Sequence, residues 1–288
     1  MLTTIFYHVD DFCKKIKEHL LPNDEKVKVG RPSNMPLSDI LTIIIFFQHS
    51  KIKTFKDYYI VYIQGIHKTA FKKVLSYNRF NELMNENMQH VALFALSTMA
   101  EATGVQYIDS TTLPVCHNKR IGSHKVAKGF AQRGKSSMGW FFGFKLHFVI
   151  NHYGEIVNFT ITPGNVDDRD SDVINHVTKD LFGKLFGDRG YLSKELFTDL
   201  FEKGIQLITR LKRNMVNKLM PMMDKLLLGK RGLIESCGNI LKNVLTIQHT
   251  RHRSVAGFLC NIFSGVSAYA FYESKPSLAK IEKALSFS

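Results

Sequence analysis

Trp140–Asn151 is the stretch that most restricts what this chain can become. Phe142, Phe144, Leu146, Phe148 and Ile150 alternate with other residues at period two, the spacing of a strand with one face against a core. His152-Tyr153-Gly154 then links it tightly to another strand-like run, Ile156–Pro163. Upstream, Gly104-Val105-Gln106-Tyr107-Ile108-Asp109 is a short strand-like run that ends on a carboxylate. These runs predict a three-stranded antiparallel meander, whose apolar face other elements must cover.

The following residues supply that cover. Ser171–Leu181 carries helical signals, and Leu185-Phe186-Gly187-Asp188 is a very short strand ending on a second carboxylate. Ser193–Lys203 reads as a helix with Ser193 as N-cap and Gly204 as stop. Gln206–Leu211 is another strand, followed by helical regions at Leu233–Val244 and Ser254–Phe271. Three strands followed by helix–strand–helix–strand–helix predict an α/β domain with a mixed sheet flanked by helices.

The first hundred residues read differently. Pro36-Leu37-Ser38-Asp39 opens a helix through Ile40–Phe47, and a second covers Thr54–Gln64 until Gly65 stops it. A third begins near Ser76 and carries Phe80, Leu83, Met84, Val91 and Phe94 at helical spacings. Lys26–Arg31 reads as a linker or arm. The expected division is a helical N-terminal region over residues 1–100 and an α/β domain over 101–288. Ile40–Phe47, the longest apolar run, is far short of the roughly 20 residues of a membrane span. Asp10 and Asp11 interrupt any signal-like segment, and the four cysteines form no C-x-x-C pair. The expectation is a cytosolic protein with reduced thiols, no membrane span and no zinc site.

Thirty-nine Lys and Arg against twenty-five Asp and Glu leave a net charge of +14. Such an excess suits a polyanion, either nucleic acid or an anionic membrane surface. It is unevenly spread. No acid occurs from Ser110 to Gly154, while Lys119, Arg120, Lys125, Lys128, Arg133, Lys135 and Lys145 do. The first half of that segment is poorly periodic and reads as a long cationic loop able to track a phosphate backbone. A second basic cluster contains Arg210, Lys212, Arg213, Lys218, Lys225, Lys230 and Arg231 against the single acid Asp224. Lys51, Lys53, Lys56, Lys68, Lys72 and Lys73 make the helical region either a DNA-binding module or a cap with a solvated basic surface. His147 is open to two readings, substrate contact or a structural histidine. Trp140, the sole tryptophan, either stacks on an unpaired base or takes a core or edge position.

Asp109 and Asp188 end predicted strands, where open α/β sheets place their ligand sites, and Glu235 lies in a predicted helix. Three hard oxygen donors from different elements suit two Mg²⁺ or Mn²⁺ ions engaged in phosphoryl transfer. Singly, each has a plainer reading: Asp109 caps a turn with Ser110-Thr111-Thr112, Asp188 belongs to a turn with Arg189-Gly190, and Glu235 is a solvated helix acid. Arg231 and Glu235 are four apart and Glu235 and Lys242 seven apart, so a helix projects all three from one face. That stripe is either a pair of phosphate-holding cations beside a metal ligand or a surface ion pair.

The run Tyr107-Ile108-Asp109-Ser110-Thr111 resembles the first-aspartate strand of DDE-type transposases of bacterial insertion sequences. Phe186-Gly187-Asp188-Arg189-Gly190-Tyr191 resembles their second-aspartate motif. Gly143-Phe144-Lys145-Leu146-His147 and Thr162-Pro163-Gly164-Asn165-Val166-Asp167-Asp168 resemble segments between the two. One branch carries Tyr, two residues, Arg, three residues, Glu, six residues, Lys. Arg231, Glu235 and Lys242 reproduce that spacing, with Leu228 at the Tyr position. The resemblance spans about residues 104–265. It implies a ribonuclease-H-like fold and a catalytic, metal-binding set Asp109, Asp188 and Glu235 using two Mg²⁺ or Mn²⁺ ions. It further implies DNA cleavage at element ends, strand transfer into target DNA, and a homodimer or larger assembly on DNA in the bacterial cytoplasm at the nucleoid. DNA contacts are expected from Arg231, Lys242, Lys119, Arg120, Lys125, Lys128, Arg133, Lys135, Arg210, Lys212 and Arg213. The alternatives are a metal-dependent nuclease of the same fold and a non-catalytic transposase-derived DNA-binding protein.

Overall fold

The structure, a computed structural model, describes residues 1–20, 35–137, 139–210, 220–248 and 252–278. By contacts it divides into two units. The first takes in residues 1–98, 243–247 and 252–272, the second 99–242, 248–251 and 273–288.

The first unit is helical. Its elements are α1 (Leu2–Leu20), α2 (Leu37–Phe47), α3 (Phe55–Tyr58), α4 (Tyr77–Glu86), α5 (Met88–Ser97) and α10 (Val255–Ala270). α2 is apolar on nearly every side and is buried accordingly. α10 packs on α2, α4 and α5, and α1 on α2. Gln48 Nε2 donates to Asn261 Oδ1 at 2.9 Å and to Ser264 Oγ at 2.8 Å, which fixes α10 to the end of α2. Gly65 does not stop the second helix. The chain widens into a π-helical segment, Tyr59–Ile66, which buries Tyr59 and Ile63, and the packing of those side chains outweighs the glycine. The third helix is two, broken at Asn87, whose side chain donates to the Leu83 carbonyl at 2.8 Å. The six lysines noted above are all exposed. The Lys26–Arg31 arm lies outside the described residues.

In the second unit, six strands among the described residues form one mixed sheet: β1 (Val105–Cys116), β2 (Gln132–Ser136), β3 (Gly139–Asn151), β4 (Ile156–Pro163), β5 (Gly183–Phe186) and β6 (Ile205–Ile208). β3 pairs antiparallel with β1 on one side and with β2 and β4 on the other, while β5 and β6 extend the sheet in parallel beyond β1. α6 (Ser171–Val177) is capped by Asp170, and α7 (Lys194–Glu202) has the expected N-cap, Ser193. α8 (Met222–Gly229) and α9 (Gly232–Asn239) follow. The chain is thus a mixed α/β sheet flanked by helices, with a helical unit formed largely from its amino-terminal part.

Two expectations change here. β1 does not end at Asp109 but continues to Cys116, because Leu113 and Val115 need burial and β3 pairs along the whole length. The segment read as a long cationic loop is therefore the second half of β1, a 3₁₀ turn at Asn118–Ser123 and strand β2. Its polar Ser110 and its polar, β-branched Thr111 and Thr112 hid a strand, since threonine suits a pleat that is only half covered.

Pairing sets the two faces. Ile108 and Val149 lie opposite each other and join Ile174, Val177, Leu185, Leu196 and Leu200 in one core under α6 and α7. Tyr107, Asp109 and Phe148 occupy the other face by alternation. There the Tyr107 hydroxyl donates to the Leu227 carbonyl at 3.0 Å, and α9 lies against β1.

Candidate active site

Strand register brings the two aspartates together. β1 and β5 run parallel with Tyr107 opposite Phe186, and the two rings stack at 5.3 Å. Asp109 and Asp188 each come two residues later, so neighbouring chains deliver them side by side. Asp188 follows the end of β5 and caps a 3₁₀ turn, its Oδ1 accepting the Gly190 N–H at 2.6 Å. Asp109 Oδ1 accepts the Ser110 N–H at 2.9 Å. The turn role considered for Asp188 is thus real, whereas Asp109 caps no turn, because Ser110-Thr111-Thr112 continue β1; in both acids one carboxylate oxygen is engaged.

α9 brings the third acid to the same face. Asp109's carboxyl is raised to about 6, chiefly because burial disfavours the anion; Asp188 and Glu235 add to the shift, while the Ser110 N–H and Arg231 oppose it. The three acids and Arg231 therefore lie within one electrostatic neighbourhood. Lys242 belongs to it too: burial lowers its pKa and Asp109 opposes that. The predicted helical stripe is altered in one respect. α9 gives way to a π-helical segment, Ile240–Val244, so Lys242 is reached through a wider turn than the α spacing assumed.

Glu235 is exposed and held by Arg231, whose Nη2 lies 2.7 Å from Glu235 Oε1. Among the described residues, no three His, Cys, Asp or Glu side chains converge into a group able to hold a metal ion. The donor chemistry nevertheless fits a hard divalent cation, because all three are carboxylates and one is kept basic beside the other two. Asp109 and Asp188 are placed for it by register; Glu235 joins only by leaving Arg231.

The cations separate into groups. Lys119, Arg120, Lys125, Lys128, Arg133 and Lys135 are all exposed, on the 3₁₀ turn, the connection after it and β2. Arg210 is exposed just after β6, while Lys212 and Arg213 lie outside the described residues. Asp224, the lone acid of the second basic cluster, is buried and paired with Lys184, so it does not offset the exposed cations.

Sequence reasoning missed a polar cluster under the opposite face. Lys145 Nζ donates to Asp168 Oδ1 at 2.9 Å and to the Val166 carbonyl at 2.8 Å. His147 is buried, with Nε2 2.8 Å from Thr162 Oγ1 and Nδ1 3.7 Å from Asp168. Burial lowers its pKa to about 4 despite Asp168, so it is neutral at physiological pH and its structural reading holds. This cluster ties β3 to the loop after β4. The signal was weak: Asp167 pairs with its neighbour Arg169 and Asp170 caps α6, which leaves Asp168 for Lys145, the one Lys or Arg on β3.

Asp109's burial carries a stability cost with a definite sign. Below the ordinary carboxylate value near 4 the group is protonated in folded and unfolded chains alike. As pH rises to about 6, the unfolded chain has released the proton while the folded chain retains it, so stability falls across that window. A shift of this size, discounted for partial exposure, amounts to about 2 kcal/mol. With EDTA present, Asp109→Asn should be more stable than the parent by that order at pH 8 and equal to it at pH 3. Urea titrations at both pH values read the difference, and equal gains at both would contradict it.

The family model described as Transposase DDE domain matches residues 99–255, more than half of the 288-residue chain. A comparison with curated proteins finds no match.

Proposed function

Because the chain belongs to the family of transposases with a DDE domain, we propose that it cuts DNA at the ends of a mobile element and joins them to target DNA. Asp109, Asp188 and Glu235 are its catalytic carboxylates on a ribonuclease-H-like sheet. The observation carrying this reading is the β1/β5 register, which sets two aspartates side by side on a face that also receives Glu235, Arg231 and Lys242.

Family members generally use divalent metals. Two Mg²⁺ or Mn²⁺ ions held by the three carboxylates would supply Lewis-acid activation of the attacking and leaving oxygens. The chain's own groups do the rest. Asp109 and Asp188 stay anchored by the Ser110 and Gly190 N–H groups, so the pair is pre-positioned. Arg231 holds Glu235 in readiness and, when released from it, faces the phosphate backbone together with Lys242. Water opens a phosphodiester at the element end, and the freed 3′-hydroxyl then attacks a target phosphodiester and displaces its 3′-oxygen. No serine or tyrosine nucleophile is required. Leu228 is buried and offers no hydroxyl where the related branch has tyrosine, so substrate grip rests on Arg231 and Lys242. The exposed lysines of the helical unit and the exposed cations of the second unit suit DNA, and assembly of two or more copies on paired ends follows from the joining reaction. The natural setting is the bacterial cytoplasm, at the nucleoid.

The test is a strand-transfer assay with Mg²⁺ and pre-cut terminal fragments of the element that encodes the chain. Joined products support transposition; hydrolysis without joining makes the protein a nuclease, and neither reaction removes the enzymatic reading. DNA binding in EDTA should weaken steeply with salt, by about ten-fold or more between 50 and 200 mM. Salt-independent binding would contradict the assignment of the exposed cations.

A further inference from the structure

The hairpin of β2 and β3 presents a surface that the carboxylate site does not use. Gly134 and Phe141 face inward: a Cβ at Gly134 would collide with the Gly164 carbonyl oxygen, so β2 lies flush there. The alternate residues face out. Trp140 is 53% exposed and lies opposite Lys135, with Phe142 opposite Arg133. The Arg133 guanidinium carbon is 4.9 Å from the centre of the indole and Lys135 Nζ is 5.8 Å from it, both within cation–π range. Asn118 Nδ2 donates to the Trp140 carbonyl at 2.6 Å, which holds the strand against the preceding 3₁₀ turn. His124 meets Phe142 edge-on at 6.2 Å. No acid occurs anywhere from Ser110 to Gly154.

Trp140 is one of several exposed large hydrophobic side chains, but it has two cations set against its ring. Cations beside the ring and a lack of acids exclude a basic or purely apolar partner. They select a ligand with both flat π faces and negative charge, which an unpaired nucleotide has and a closed duplex does not. Along β3 the alternation puts Trp140 on the face of Phe148, the register partner of Asp109, but Phe144, Leu146 and Phe148 are buried there and α9 packs on that face, so the exposed aromatic surface is a separate one at the hairpin.

We propose that Trp140, flanked by Arg133 and Lys135, is a stacking platform for an unpaired base of a DNA strand, set apart from the carboxylates at the β2–β3 hairpin. This rests on the DNA-processing reading above, but it is tested without metal or catalysis. Trp140 is the only tryptophan, so intrinsic fluorescence reports on this site alone. In EDTA, a short oligo-dT should quench it saturably, and a duplex of equal length should quench it much less. Trp140→Ala should lose roughly ten-fold in affinity for oligo-dT, measured by anisotropy of a labelled strand, with duplex affinity little changed, and Trp140→Phe should recover most of the loss. Equal quenching by oligo-dT and duplex, or an unchanged oligo-dT affinity in Trp140→Ala, overturns the proposal. Loss of the platform with cleavage intact would leave the catalytic reading standing. Quenching by oligo-dT in a chain that neither cuts nor joins DNA would leave the platform standing and remove the transposition reading.

Discussion

Asp188→Asn should lower Mg²⁺-dependent DNA cleavage by about a thousand-fold or more while leaving the protein folded and bound to DNA. Losing one ligand carboxylate removes several kcal/mol of stabilisation for charge that develops on the reacting oxygens, and each 1.36 kcal/mol is ten-fold in rate. The substitution is well suited to the question because of what Asp188 already does. Its Oδ1 accepts the Gly190 N–H, and an asparagine oxygen accepts the same bond, so the turn survives while the charge is lost. Asp109→Asn preserves the Ser110 bond in the same way. Removing an anion from a phosphate-binding face does not weaken DNA binding. Cleavage rate and binding should therefore part company. Undiminished cleavage in either variant would show that these aspartates are not the reaction centre; loss of cleavage and binding together would point to a folding defect instead.

Gly154→Ala should destabilise the second unit by roughly 3 kcal/mol, the largest stability effect expected of a single methyl in this protein. Gly154 sits in the β3–β4 turn at φ 74°, where an L side chain costs about 1–2 kcal/mol. A Cβ there would also meet the Pro276 carbonyl oxygen, backbone that cannot step aside as a side-chain end can, and such overpacking adds about 1–3 kcal/mol. The neighbouring Leu278 N–H bonds to the His152 carbonyl at 2.8 Å, so residues near 276 are tied down where the methyl would intrude. Urea unfolding monitored by far-ultraviolet circular dichroism reads the loss. A midpoint shift equivalent to under 1 kcal/mol would mean that the 276–278 segment does not close over this turn in solution.

Much of this molecule is legible from local pattern. Period-two alternation located β3 and β4, and the latter's limits, Ile156–Pro163, are those expected. Ser193 was visible as an N-cap because a small oxygen-bearing residue before an apolar helix has one common use. What failed depended on partners distant in sequence. Ser110-Thr111-Thr112 looks like a turn until β3 is set beside it. Gly65 looks like a stop until Tyr59 and Ile63 are seen to be buried beneath the turn that continues past it. The acids at 109, 188 and 235 could be named by resemblance, yet the nearness of the first two follows from a parallel register that no local window contains. The ion pair between Arg231 and Glu235 was foreseen as the plain reading of a four-residue spacing, and it is present.

The strand that joins the carboxylates to the hairpin is also a spacer. Trp140 and the register partner of Asp109, Phe148, are eight residues apart on β3, about 27 Å at the rise of an antiparallel strand. Phe144 and Leu146 between them are buried, so the hairpin and the carboxylates share no partner. Effects of Trp140→Ala and Asp188→Asn should therefore add in the double variant, as they do for sites this far apart.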